Sequence, residues 1–322
     1  MSVAARTLRF GAALALVAAA WLLAALPARA ADPLFPLGSR LGLAPPPGIA
    51  LSPTFPGFED QLNHVYIRIV AMPDKAFAEI ERTMTNDALK KQGMTVEKRE
   101  PFPLASGSRG LLIVAQQEAD AVRLRKWLLV APVGDLTALI SIEIPNEATD
   151  RYPEAAIRTA LATTTARPSI PVEEQLQLVP FRFGDLGGMR VWRVLPGTAV
   201  QLTDGPKEEF DATTQSYLVI SIGSGTPDPR DRENFARLAL SGLPPLKDLR
   251  VTGSEPLRLG RQQGYEIRAE AKDPKTGVDI QIVQWLRFGT GAYVRLIGIG
   301  PKEGWSSAFM RFRTVRDAME VR

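Results

Sequence analysis

Cysteine is absent from the 322 residues, and histidine occurs once, as His64. The missing thiol excludes disulfide bonds, thiolate metal sites and a cysteine nucleophile. A Ser-His-Asp triad or a histidine metal site would have to use His64. This residue lies at the edge of a predicted strand, a position more typical of a surface or core histidine than of a catalyst. We therefore predict no metal site and no cofactor.

The motifs of common catalytic and nucleotide-binding sites are also missing. The sequence has no HExxH pair, GxSxG elbow, SxxK pair, P-loop or GxGxxG-like loop. The acidic residues Glu208, Glu209 and Asp211 could pair as acid and base or bind a hard cation, which is the basis of one alternative, a carboxylate-based hydrolase. Their position in a loop beside Lys207 favours an ordinary solvated loop. We therefore predict no catalytic residue and no enzyme.

Residues 1–30 have the pattern of a secretory signal peptide. Arg6 and Arg9 precede the unbroken apolar run Phe10–Leu26, and Ala28-Arg29-Ala30 offers a small-residue cleavage site. The alternative is an uncleaved anchor helix, because the run is close to the shortest length that spans a bilayer. We expect export, to the periplasm if the host is a double-membrane bacterium. After cleavage we expect no stable membrane insertion.

The basic charge of the whole chain comes mainly from this leader. Removing its arginines (Arg6, Arg9 and Arg29) from the 39 basic residues leaves 36, against 35 acidic residues. A nearly neutral mature chain has no general electrostatic attraction for nucleic acid. We therefore expect no nucleic-acid partner.

An internal repeat divides the remaining chain. Each half carries, in the same order, a strand with a tyrosine, a Glu-Pro pair, a glycine, a Trp-Leu pair and a proline after the last strand. These are Tyr66, Glu100-Pro101, Gly110, Trp127-Leu128 and Pro145 in the first half, and Tyr217, Glu255-Pro256, Gly264, Trp285-Leu286 and Pro301 in the second. We predict one domain at 31–166 and a second at 174–322, with a linker at 167–173 where prolines interrupt the pattern.

The hydrophobic pattern predicts the same elements in both halves. Strict alternation, as in Ile140–Ile144, indicates half-buried strands, and short turn-rich loops between them indicate an antiparallel meander. One helix is expected from Asp74 to Ala88 and another after Asp228, with closing helices at 152–165 and 305–321. A hairpin is expected between 178–183 and 189–194. Strands with helices at only two points indicate an α+β fold rather than a doubly wound parallel sheet.

This order resembles tandem PsbP-like domains, a fold shared by an extrinsic photosystem subunit and a Ran-binding factor. The resemblance covers nearly all of the mature chain. It rests on the element order, the Pro-Gly turn near the start of each half, and Gly110 and Gly264 before the long hairpins. It implies two αβα sandwiches, each with a mainly antiparallel sheet, and a binding or assembly role without catalysis. It carries over no functional residue.

Two short segments are candidates for contact with a partner. Phe55 and Phe58 lie in a turn, where they either fold back onto the core or form an exposed apolar patch. Arg123 and Arg125 share one face of a strand and could contact an acidic partner or a lipid head group. We predict an exported, non-catalytic binding or assembly protein with a protein partner. The remaining alternative is a carrier of a small apolar ligand, lined by Met84 and the stripe Phe309–Met319.

Overall fold

The computed structural model describes residues 32–119, 122–243 and 245–322. The predicted leader at 1–30 lies outside the described residues. The chain divides into two compact units, Met1–Pro168 and Ser169–Arg322. Each unit has one seven-stranded antiparallel sheet with helices, which confirms the predicted α+β fold class. Within the described part of the chain, no helix is long and apolar enough to cross a membrane.

Among its described residues the first unit contains nine strands, seven of which form its main sheet. In chain order they are β1 (Leu41–Gly42), β2 (Ala50–Leu51), β3 (Gly57–Asp60), β4 (Val65–Pro73), β5 (Met94–Pro103), β6 (Arg109–Ala119), β7 (Val122–Val133), β8 (Leu136–Pro145) and β9 (Thr165–Ala166). The main sheet has the order β2-β3-β4-β8-β7-β6-β5, and β1 pairs with β9. Alternate residues of each strand point to opposite faces, so the sheet has two faces that need a cover.

Helices cover the two faces of this sheet unequally. Helices α1 (Ala76–Thr83) and α2 (Asn86–Lys91) connect β4 to β5, and α3 (Glu154–Ala162) follows β8. The large core lies on the face covered by α3, where Ile157 and Leu161 are buried against the sheet. A smaller core, which includes Leu89 of α2, lies on the opposite face. We call this second, less covered side the outer face.

The second unit also contains nine strands and repeats this plan. Its elements are α4 (Val172–Gln177), β10 (Phe181–Phe183), β11 (Arg190–Leu195), β12 (Ala199–Thr203), β13 (Tyr217–Ser224), α5 (Arg232–Ser241), β14 (Lys247–Leu259), β15 (Gln262–Lys272), β16 (Asp279–Phe288), β17 (Ala292–Pro301), α6 (Trp305–Ala318) and β18 (Met319–Val321). The main sheet has the order β11-β12-β13-β17-β16-β15-β14, and β10 pairs with β18. Strand for strand, this is the order of the first unit.

The strand registers align the two sheets residue by residue. Gly110 lies opposite Phe102, and Gly264 lies opposite Leu257, so each glycine faces the residue that follows the Glu-Pro pair. A Cβ atom would lie 2.5 Å from a carbonyl oxygen of the next strand at Gly110 and 2.6 Å from one at Gly264. Only glycine therefore allows this close approach in either unit.

The two Trp-Leu pairs do not match in this alignment. Val130 pairs with the residue after Gly110, and Leu286 pairs with the residue after Gly264, so Val130 and Leu286 are equivalent. Trp127 lies three residues before Val130, whereas Trp285 lies one residue before Leu286. The prediction that the two tryptophans are equivalent was therefore wrong by two positions. A shift of two keeps the face, and both rings remain buried in the core next to the C-terminal helix of their unit.

Two further sequence predictions were wrong. The helix expected from Asp74 to Ala88 is broken, because the Thr85 side chain accepts a hydrogen bond from Ala88 N–H (3.2 Å) and starts a new helix. The hairpin expected between 178–183 and 189–194 does not form, because β10 pairs with β18 at the end of the chain. Such pairing between distant segments leaves no local turn signal in the sequence.

Candidate binding face of the first unit

In the second unit a long loop closes one part of the outer face. The loop 204–216 connects β12 to β13 and covers the ring of Tyr217, which is 0% exposed. The Tyr217 hydroxyl donates to the Glu209 carbonyl (2.9 Å) and accepts from the Asp211 N–H (2.9 Å). Phe210 packs on the same ring, with the centroids 4.6 Å apart. The loop thus provides both the apolar cover and the hydrogen-bond partners of a buried phenol.

The first unit leaves the same part of its outer face open. Tyr66 is equivalent to Tyr217 by strand register, but only the short connection 61–64 joins β3 to β4. Tyr66 is half-buried, its ring packing at 6.2 Å from Phe55 and 5.2 Å from the Arg68 guanidinium. Val70 on the same strand and face is 48% exposed. We call the surface formed by Phe55, Tyr66, Arg68 and Val70 the open strip.

In the second unit, helix α5 is hydrogen-bonded to the sheet through its middle and end. Gln284 of β16 donates to the Ala236 carbonyl (2.8 Å). Arg295 of β17 donates to the Gln284 side chain (2.9 Å) and to the Ala239 carbonyl. Burial lowers the pKa of the Arg295 guanidinium, which nevertheless stays charged at neutral pH. This polar pair fixes the helix on the sheet, and Ala236 is 0% exposed as a result.

The first unit has leucines at both equivalent positions. Leu128 corresponds to Gln284, and Leu139 corresponds to Arg295. Thr137 donates to the Asp74 carbonyl before α1 (3.0 Å), and Arg99 donates to the Glu81 (3.3 Å) and Met84 (2.6 Å) carbonyls at its C-terminal end. None of the side chains of α1, all within the described residues, is fully buried. Helix α1 therefore crosses the sheet without burying a side chain fully against it.

A cavity of ≈ 670 Å³, partly open to solvent, lies between α1, α2 and the sheet. Methionine and aliphatic side chains form most of its wall, and a few polar groups join them. The lining residues are Met72, Ile80, Thr83, Met84, Ala88, Leu89, Gln92, Met94, Lys126, Leu128, Leu139 and Ser141. Cavities of this size and character commonly hold small ligands. Methionine side chains suit such a wall, because they are flexible and polarizable.

An ion-pair cluster lies between the cavity and the open strip. Glu143 accepts from Lys126 (2.9 Å) and from Arg68 (2.8 Å), so two cations share one carboxylate. Burial alone would raise the pKa of the Glu143 carboxyl, but the hydrogen bonds from Lys126 and Arg68 outweigh it and hold the pKa below its ordinary value. The cluster consequently carries one excess positive charge at neutral pH.

The four residues proposed from sequence for partner contact do not come together. Phe55 lies on the open strip, whereas Phe58 is 0% exposed and belongs to the main core. Arg123 is exposed, and Arg125 pairs with Glu154 of α3 (3.1 Å) above the ring of Trp127. Arg125 therefore lies on the face covered by α3, opposite the open strip. Of the four, Phe55 alone contributes to the binding face described here.

The acidic loop of the second unit does not have the properties of a catalytic pair. Asp211 accepts from Lys207 (2.6 Å) and from the hydroxyl groups of Thr213 and Thr214. The Lys207 hydrogen bond is the largest cause of a pKa of Asp211 far below its ordinary value, so this carboxylate cannot act as a general acid near neutral pH. Glu208 pairs with Arg190 (3.1 Å). Within the described residues, no group of three or more acidic or histidine side chains could hold a metal ion.

Sequence reasoning missed most of this face. Leu128 and Leu139 look like ordinary apolar strand residues, and Met72 and Met94 belong to strand segments without a motif. The available signal was the repeat itself. Aligning the halves on Pro145 and Pro301 would have placed Leu128 against Gln284 and Leu139 against Arg295.

No protein-family model matches the chain, and no curated protein sequence matches it. Among solved structures, the Ran-binding protein Mog1p of Saccharomyces cerevisiae is 13% identical and has a TM-score of 0.32, covering 42% of this chain and 86% of its own. Cyanobacterial PsbP of Synechocystis is 12% identical with a TM-score of 0.27, covering 44% of this chain and 91% of its own.

A third similar structure spans both units. The immunity protein TplEi of the Pseudomonas aeruginosa type VI secretion system, in complex with an "L" peptide, is 11% identical with a TM-score of 0.29, and the match covers 91% of this chain and 99% of that chain. The structures similar to this chain thus include a PsbP protein and a Ran-binding protein. At such low identities and TM-scores these similarities carry no argument about function, which rests on the geometry above.

Proposed function

We propose that this chain is an exported, non-catalytic binding protein made of two tandem PsbP-like domains, at 31–166 and 174–322, joined by a linker at 167–173. Its first domain binds a protein partner through the open strip. The observation that carries the proposal is the contrast between equivalent faces. The second unit covers its outer face with a loop and a hydrogen-bonded helix, whereas the first leaves aromatic and aliphatic side chains accessible.

The chemistry of the open strip is that of a protein-binding surface. Two aromatic rings flank an arginine, and Val70 adds an exposed aliphatic side chain. Aromatic residues and arginine are the types most enriched at the centre of protein interfaces. Arg68 is already held by Glu143, so little side-chain entropy is lost when a partner covers it. The partner that fits is a protein surface whose own apolar side chains cover the two rings.

The protein reaches this partner outside the cytoplasm, in the periplasm if the host has two membranes. The support is the leader pattern at 1–30 together with the absence of cysteine, which leaves the mature chain independent of the redox state of its compartment. The isolated acidic groups of the second unit support a non-catalytic role, because their partners are basic or hydroxyl side chains rather than each other.

Site-specific photocrosslinking in the exporting cell tests this function. A photoreactive amino acid at Val70 should give a discrete crosslinked species with one protein. The matched control is Leu238 on α5, which is 72% exposed but belongs to the second unit. Crosslinking at Val70 that is lost in an Arg68→Glu background supports the open strip. Equal crosslinking from both positions, or none from Val70, contradicts it.

A further inference from the structure

The cavity beneath α1 is a feature that the protein-binding strip does not explain. Its wall includes Met72, Met84 and Met94 together with Leu128 and Leu139. The site is a groove partly open to solvent, and its ≈ 670 Å³ lies within the usual range for ligand pockets.

The second unit buries the middle and end of its helix at the equivalent place. There Gln284 and Arg295 donate to carbonyls of α5, and Leu240 is 2% exposed. With leucine at both equivalent positions, the first unit gains apolar wall and lacks these two donors. Thr137 donates to the Asp74 carbonyl, and Arg99 donates to the Glu81 and Met84 carbonyls, which holds both ends of α1 above the gap.

One basic group is available at the wall of the cavity. Lys126 lines the cavity, and its side chain is only 13% exposed. Its carboxylate partner, Glu143, also accepts from Arg68, which leaves the cluster with one positive charge in excess. Gln92, Thr83 and Ser141 add neutral polar groups to the same wall. A ligand that places a negative group near Lys126 and an apolar chain among the methionines would match both the basic group and the apolar wall.

We propose that the first unit binds a single-chain amphiphile, an unbranched acyl chain with an anionic head group, in the cavity between α1, α2 and the sheet. The chain lies among Met72, Met84, Met94, Leu128 and Leu139. The head group is neutralised by Lys126. This site is distinct from the open strip and does not require a protein partner to be occupied.

Calorimetric titration of the full mature chain tests the proposal, using defined probes below their critical micelle concentrations. Dodecanoate should bind about 15-fold more tightly than decanoate, since each buried methylene contributes about a fourfold change in Kd. Dodecanoate should also bind on the order of tenfold more tightly than dodecanol, and dodecyltrimethylammonium should bind more weakly still. Tighter binding of dodecyl phosphate than of dodecanoate would indicate a phosphate head group, as in a lysolipid, and the reverse order would indicate a free fatty acid.

Two variants assign the binding to this cavity. Leu139→Trp fills the space and should weaken dodecanoate binding at least tenfold, while Leu238→Trp on the exposed surface of α5 should leave it unchanged. Lys126→Met should remove the preference for dodecanoate over dodecanol but keep the dependence on chain length. Thermal unfolding of each variant checks its folding. The comparisons of chain length and head group in the wild-type protein do not depend on these variants.

The contradicting results are equally defined. Absence of a chain-length dependence in the wild-type protein would mean that no apolar cavity is filled. Equal affinity for the anionic and cationic dodecyl probes would remove the role of Lys126. Full affinity in a folded Leu139→Trp protein would place the amphiphile elsewhere and overturn the assignment.

Discussion

The two units share a strand order but differ in how their outer faces are covered. The second unit seals α5 to its sheet with Gln284 and Arg295, and the first has Leu128 and Leu139 at the same register positions. The exchange of two polar side chains for leucine thus accompanies a helix with no fully buried side chain and a cavity beneath it. A buried hydrogen bond is valuable here less for its net energy than for the geometry that it imposes.

A second difference, at the paired tyrosines, also leaves the first unit less covered. Tyr217 is enclosed by the loop 204–216, while the ring of its counterpart Tyr66 packs against Phe55 and Arg68 and stays half-buried. In both places the second unit covers its sheet with additional chain or polar groups, and the first does not. The grooves of the second unit lie elsewhere, at the start of α5 and beside the loop 204–216, so the units differ in which part of the outer face is open.

The largest effect is expected from removing the arginine that seals the second unit. Arg295→Leu leaves the Gln284 side chain and the Ala239 carbonyl without a donor, and should lower the free energy of unfolding of this unit by about 2–4 kcal/mol. Arg250→Leu, in an exposed ion pair with Glu270, is the control and should cost less than about 1 kcal/mol. Denaturant unfolding followed by hydrogen exchange in second-unit peptides measures both. A loss below about 1 kcal/mol for Arg295→Leu would contradict the conclusion that Arg295 holds α5 on the sheet.

The paired tyrosines give the next largest effect. Tyr217→Phe removes a buried hydroxyl with hydrogen bonds to Glu209 and Asp211 and should cost about 1–3 kcal/mol. Tyr66→Phe changes a half-exposed ring and should stay within about 0.5 kcal/mol. Both substitutions remove the same single oxygen, so each is the control for the other. Equal costs, measured by equilibrium unfolding, would mean that the two faces are equally closed.

The ion-pair cluster predicts an acid-dependent contribution in the first unit. Because the pKa of Glu143 is lowered in the folded state, its stabilisation is fully present above the ordinary value of 4.5 and is lost as pH falls through the folded value. Glu143→Gln should therefore lower stability by about 1 kcal/mol at pH 7 and progressively less below pH ~4.5. Denaturant unfolding of the full chain at pH 7, 5 and 3, followed by hydrogen exchange in peptides from the first unit, measures this. A Gln variant that loses the same stability at every pH would contradict the assignment.

The smallest effects concern the arginines proposed from sequence. Arg123→Ala, at an exposed strand position, should change stability by less than about 0.5 kcal/mol and leave crosslinking from Val70 intact. Arg125→Ala should cost somewhat more, about 1 kcal/mol, because it removes contacts with Glu154 and the Trp127 ring. Loss of crosslinking from Val70 in a folded Arg123→Ala protein would move the binding surface to the opposite face of the sheet.

Much of the fold could be predicted from sequence, because local pattern and tertiary burial agree along the long strands. The sheet itself enforces the alternation in Ile140–Ile144 and the glycines opposite the residues that follow the Glu-Pro pairs. The predictions failed where distant segments decide the outcome. Pairing of β10 with β18 has no local signal, and the Thr85 cap interrupts an otherwise continuous apolar stripe.

The candidate site was less predictable for a related reason. A leucine in a strand gives the same pattern whether it meets a packed helix or lines a cavity. Leu128 and Leu139 therefore do not predict a cavity when the first half is considered alone. Phe58 illustrates the converse, since a large ring in a turn-like segment was a surface candidate and is a core residue. Charge alone likewise pointed to Arg123 and Arg125, whereas the buried cluster at Glu143 depends on three strands meeting in one register.

Hydrogen exchange of the two outer-face helices in the native protein tests the difference between the units most directly. Amides of α1 (Ala76–Thr83) should exchange at least tenfold faster than those of α5 (Arg232–Ser241), because α5 buries Ala236 and Leu240 against its sheet whereas α1 has no fully buried side chain. Adding dodecanoate should slow exchange in α1 and leave α5 unchanged. Equal protection of the two helices, with no response of α1 to the amphiphile, would contradict the account.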